Sequence, residues 1–113
     1  MINAEAAIQR AVVKHLQIRG ANDLCWFAVP NGGWRNVITA KNLKLEGVRP
    51  GVSDLIFLHQ GSSYALEIKT ERGRASEHQL HFLDDWRTAG GHGVVSNGLD
   101  RCLAVLETWK LIR

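Results

Sequence analysis

The 113-residue chain holds only two cysteines, Cys25 and Cys102, and they stand far apart. They cannot form a CxxC metal knuckle, and each lies among apolar neighbours, which predicts two buried free thiols rather than a disulfide. No run approaches the roughly 18–20 apolar residues needed to cross a bilayer, so no membrane-spanning segment is expected. The N-terminus carries Glu5 and lacks the apolar stretch of a secretory leader, which makes a reducing, cytoplasmic setting the expectation. The sequence contains no internal repeat, low-complexity tract or linker, and its length suits one compact domain, 1–113. Five histidines are present, but His78 and His81 have no cysteine or third histidine near them. Nothing resembles a zinc-finger or HNH arrangement, and the two read as solvated helix positions.

Apolar residues make up 45% and charged residues 22%, a balance that argues against extended disorder. The formal net charge of +3 is compatible with a polyanionic partner without pointing to one.

Asn3 reads as the N-cap of a helix from about Ala4 to Arg19, ended by Gly20, with Ile8, Ala11, Val12 and Leu16 on one apolar stripe. Leu24 to Val29 is a short run of β-formers that stops at Pro30, before the open Asn31-Gly32-Gly33 loop. A helix from about Val37 to Glu46 follows. The Arg49–Ser53 turn then leads into a strand from Asp54 to Leu58, and Gln60-Gly61-Ser62 reverses the chain into Ser63–Thr70. Ser76 opens a helix to about Ala89, Gly93–Ser96 is a short strand, and Leu99 to about Trp109 a last helix. The order α-β-(α)-β-β-α-β-α predicts an α/β fold with a central mixed sheet flanked by helices. Trp26, Trp86 and Trp109 read as core, whereas Trp34 sits in the glycine-rich loop.

Acids appear where they do not help folding. Asp54 opens one strand, and Glu67 and Lys69 interrupt the apolar run of the next. With Gln60-Gly61 as a two-residue turn, Asp54 lies directly opposite Glu67, and Lys69 follows on the same face. Two facing carboxylates repel unless a cation lies between them. Mg²⁺ suits this arrangement, because it takes one or two carboxylates, keeps several waters and binds phosphates. Lys69 beside it could orient or deprotonate a water, or neutralise developing charge; the residues leave these roles open. A plain ion pair between Lys69 and Glu67 at an exposed strand end is the competing reading.

The chain resembles a stand-alone member of the VRR-NUC family, within the PD-(D/E)xK nuclease superfamily. The resemblance rests on Glu5 with its amphipathic helix, Asn31-Gly32-Gly33, the segment Gly47 to Leu55 (GVRPGVSDL), Leu66-Glu67-Ile68-Lys69-Thr70, Gly73-Arg74 and Ser76 to Gln79, and Gly90 with the strand after it. It implies a restriction-endonuclease-like core, dependence on Mg²⁺ or Mn²⁺, and phosphodiester hydrolysis in DNA. By matching position, Asp54 and Glu67 are implied as metal ligands, with the Ile68 backbone carbonyl as a third and Lys69 as the catalytic lysine. Glu5 matches an acid contributed by the family's first helix, and Gln79 a glutamine that points at the metal or its water. Ser53 departs from the pattern, standing where many members carry proline.

Two of these residues have equally physical alternatives. Glu5 is favoured by the helix macrodipole in any first turn, and Gln79 fits a capping box with Ser76, a role that excludes reaching the site. Among the basic residues flanking the motifs (Arg35, Lys41, Lys44, Arg49, Arg72 and Arg74), Arg49 and Arg74 are the preferred DNA contacts, with Arg35 and Lys44 beside them. So small a chain has little surface for reading a long sequence, so structure-selective cleavage of branched or junction DNA is expected. Family analogy adds a homodimer. A non-catalytic DNA-binding module of the same fold, or a nuclease acting on RNA, are the alternatives.

Overall fold

The computed structural model describes residues 3–30 and 37–113, with side chains from residue 40 onward in the second segment. Trp34, Arg35 and the Asn31-Gly32-Gly33 loop lie outside the described residues. The elements run α1 (Ala4–Arg19), β1 (Cys25–Ala28), α2 (Val37–Leu45), β2 (Leu55–His59), β3 (Ser62–Lys69), α3 (Glu77–Thr88), β4 (His92–Asn97) and α4 (Leu99–Thr108). This is the expected order, with boundaries displaced by a residue or two.

The four strands form one sheet in the order β1-β2-β3-β4. The first three pair antiparallel, and β4 joins β3 in parallel after the α3 crossover. Gln60 and Gly61 both take positive φ, 51° and 82°, which makes the tight hairpin turn and sets the register Leu55↔Leu66 through His59↔Ser62.

One face of the sheet is covered by α1 and α4. Leu55, Phe57, Leu66 and Ile68 meet Val12 and Leu16 of α1, Cys102 and Leu106 of α4, and Leu111 and Ile112 beyond it. On the other face Ala65 meets Phe82 and Leu83 of α3, with Val52, Ile56, Trp86 and Val95 around them. Each fully buried side chain of this size contributes about 1.5–3 kcal/mol of burial, so this double layer fixes which way the strands face. Trp26 and Trp109 pack half-buried on the first cluster and Trp86 on the second.

The cysteine expectation holds for one of the pair. Cys102 is buried and Cys25 is exposed, and both are free thiols. Cys25 belongs to the edge strand and pairs with Leu58, which is itself 53% exposed. Sequence neighbours could not reveal that this corner of the sheet is uncovered. Among the described residues, no helix is long and apolar enough to cross a membrane.

Candidate active site

The site forms where the hairpin's open end meets the first turn of α1. Asp54 immediately precedes β2, and its carbonyl accepts a hydrogen bond from the Val29 amide at 2.9 Å. Its side chain crosses to the next strand, where Oδ2 accepts the Ile68 amide at 2.7 Å. The loop leading into Asp54 is pressed against α3. Gly51 has φ of 82°, and a Cβ there would overlap the backbone of His78 and Gln79. Only glycine permits both the turn and this approach.

Register and strand alternation bring Glu67 and Lys69 to the same face as Asp54. Glu67 is 1% exposed, and its Oε1 has no hydrogen-bond partner among the described residues. Its Oε2 lies 3.7 Å from Lys69 Nζ, which lies 3.9 Å from Glu5 Oε1. Lys69 is therefore a nearly buried cation between two acids from different elements. Burial, above all, pushes the Glu67 carboxyl up to about 8; the Asp54 carboxylate adds to the shift, as does Glu5 more weakly, and Lys69 opposes it. A buried carboxylate with an unpartnered oxygen beside a second carboxylate is costly to folding, which makes this cluster the candidate site.

Four of the sequence-derived residues, Glu5, Asp54, Glu67 and Lys69, are thus brought together. Gln79 is held elsewhere. Its Oε1 accepts the Ser76 amide at 2.8 Å while Ser76 Oγ accepts the Gln79 amide at 3.2 Å, a complete capping box at the start of α3. The side chain cannot hold this cap and reach the acids, so the reading of Gln79 as a residue at the metal is not met in this geometry. Arg49, read as a DNA contact, is engaged with Asp85 at 3.0 Å and lies over the Phe82 ring at 5.3 Å. It fastens the loop before Asp54 to α3. Arg74 and Lys44 are exposed and without an ion pair among the described residues. Ser53, in the position of the departure, is fully buried, and its Oγ has no partner among the described residues.

Sequence reasoning missed Asn97. Its Nδ2 donates to the carbonyls of Thr70 and Gly73, each at 2.8 Å, and Asn97 pairs with Lys69 in the β3–β4 ladder. A short polar residue before a glycine carries no signal for such a contact. His59 binds Asp23 at 2.7 Å, and Gln60 binds the other Asp23 oxygen at 3.0 Å. These bonds pin the hairpin turn at the end of β2 remote from Asp54.

Among the described residues, no group of three or more His, Cys, Asp or Glu is arranged to hold a metal ion. What is present is a pair of carboxylates, one with an orphaned buried oxygen, and this donor chemistry fits a hard cation that keeps much of its own water.

No family profile matches the sequence, and no curated protein matches it. Solved structures do resemble it, two of them as follows. One described as a VRR_NUC domain protein is 21% identical, with a TM-score of 0.79, covering 98% of this chain and 92% of that one. Another, described as a VRR_NUC domain, is 18% identical, with a TM-score of 0.68, covering 96% of this chain and 99% of that one. The mixed sheet with its flanking helices therefore has the restriction-endonuclease-like fold of VRR_NUC domains, over nearly the whole chain.

Proposed function

We propose that the chain is a single nuclease domain, an Mg²⁺-dependent endonuclease that hydrolyses phosphodiester bonds in DNA, with a preference for branched or junction substrates. The observation that carries this reading is the buried, unpartnered Glu67 oxygen beside Asp54, with Lys69 between Glu67 and Glu5. Its fold-level support is the likeness to VRR_NUC domains.

Asp54 and Glu67 would hold the ion, with the Ile68 carbonyl as a third ligand and Glu5 as an outer acid. When bound, Mg²⁺, or Mn²⁺ in its place, supplies Lewis-acid polarisation of a phosphoryl oxygen and a lowered pKa for water. The rest of the chemistry belongs to the chain. Asp54 is oriented by the Ile68 amide, which takes one of its two carboxylate oxygens. Lys69, fixed by two acids, presents its ammonium to the phosphate and offsets the charge that builds as water attacks. Burial of Glu67 and Lys69 keeps bulk water from screening that interaction. Arg74 and Lys44 supply sequence-independent phosphate contacts.

Labelled duplex, flap, splayed and four-way junction DNA, and the same shapes in RNA, incubated with Mg²⁺, Mn²⁺ or EDTA, test the reading. Metal-dependent cutting of branched DNA is expected. Binding without cutting in either metal assigns the chain to the non-catalytic module, and cutting confined to RNA moves the substrate class.

A homodimer is part of the same proposal. Phe27 and Leu58 expose 54% and 53% of their surface on adjoining positions of β1 and β2, an apolar corner that a second copy would cover. Sedimentation at the monomer mass over the whole accessible concentration range excludes it.

A further inference from the structure

An open cavity of about 570 Å³ lies where β3 and β4 end and α4 begins. Arg72, from the turn after β3, and Arg101, from the first turns of α4, both line it, as do Glu71 and Asp100. Arg19, Arg49 and Arg87 each pair with an acid. Arg72 and Arg101 are exposed and have no ion pair or hydrogen bond among the described residues. Two arginines of one cavity's lining are thus without an ion pair among the described residues, and the planar donor fork of a guanidinium matches the oxygens of a phosphate.

The cavity is also fixed to the strand that bears Lys69. Lys69 and Asn97 are ladder partners, and the Gly98 amide donates to the Lys69 carbonyl at 2.8 Å. Asn97 holds the Thr70 and Gly73 carbonyls, and the Gly73 amide closes the turn on Thr70 at 3.0 Å. The turn that carries Arg72 is thereby braced against the residue after Lys69.

We infer that this cavity binds a backbone phosphodiester of the strand being cut, beside the scissile one, with Arg72 and Arg101 as its ligands. This rests on the nuclease reading and adds a second point at which the strand is held. Such a contact fixes the register of the strand over Lys69 and reads no bases. Glu71 and Asp100 set the charge limit. Two arginines against two acids leave the lining without net charge. It therefore accepts the single charge of a phosphodiester and disfavours the double charge of a terminal phosphate monoester. The site selects the interior of a strand over its end, as an endonuclease requires.

Fluorescence anisotropy of a labelled four-way junction, with Ca²⁺ in place of Mg²⁺, tests this without requiring any cutting. Arg72→Gln and Arg101→Gln are each expected to weaken binding several-fold. Each should also lower the slope of log Kd against log salt by about 1, with melting temperature unchanged. Lys110→Gln, at the far end of α4, is expected to leave the slope alone. Glu71→Gln and Asp100→Asn are expected to tighten binding and to reduce discrimination against a strand ending in a 5′-phosphate. Slopes for the two arginine variants equal to wild type overturn the inference, whatever the protein's cleavage activity proves to be. Wild type that cuts nothing while the arginine variants lose their slope retains the site and removes only the nuclease reading.

Discussion

Ile68 donates its backbone N–H to the Asp54 carboxylate at 2.7 Å, so the acid that precedes β2 is tied directly to the strand that carries Glu67 and Lys69. One bond thus serves both the end of the sheet and the shape of the site. Replacing Asp54 separates the two. Asp54→Asn keeps an oxygen for the Ile68 amide and, above about pH 8 where Glu67 is ionised, removes one of two adjacent charges, so its melting temperature there is expected at or above that of wild type, while cleavage falls at least about 100-fold. Asp54→Ala orphans the amide and is expected to cost a further 1–3 kcal/mol or so. Thermal melts beside cleavage rates check this; equal destabilisation by both variants contradicts it.

Glu67 gives a pH signature. Its folded-state pKa is raised to about 8, chiefly by burial and then by Asp54. Between the ordinary glutamate range and about 8, the folded chain keeps a proton that the unfolded chain has released. The stability tied to that proton is complete below the unfolded value and is lost as pH rises through the folded one. Glu67→Gln cannot lose it. In metal-free buffer the variant is expected to gain on wild type as pH rises, reaching an advantage on the order of 1–3 kcal/mol at alkaline pH. Melts of the two proteins that run parallel across the range contradict the buried, ionisable placement of Glu67.

Gln79 is a structural residue here. Its reciprocal bonds with Ser76 complete the cap of α3. Gln79→Ala is expected to cost about 0.5–2 kcal/mol of stability. Cleavage under conditions where the variant is fully folded should stay within about threefold of wild type, the small change expected of a residue that makes no transition-state contact. A loss of rate greater than that, with no loss of stability, places the side chain back at the acids.

Much of this arrangement was legible in the sequence, for local reasons. The Gln60-Gly61 turn and the two-residue period of strands determine that Asp54 meets Glu67, and caps such as Asn3 and Ser76 mark helix starts within a residue. What stayed hidden is non-local. Arg49 finds Asp85 across the fold, and Asn97 reaches the carbonyls of Thr70 and Gly73 through a side chain whose identity alone announces nothing. Cys25 looks like a core residue among Leu24 and Trp26, yet it lies on the open side of an edge strand, and only the position of α3 determines that. Gln79 had two sound readings, and the choice between them depended on one side-chain rotation.

The central claim is that Lys69, held between Glu67 and Glu5, serves bond cleavage and not only the fold. The direct measurement is the single-turnover rate of junction cleavage in Mg²⁺ for wild type and Lys69→Ala, with binding of the same junction followed in Ca²⁺. A rate at least about 100-fold lower, with binding within a few-fold of wild type, is the predicted result. Equal cleavage rates for the two proteins, or no cleavage by wild type, would contradict the claim.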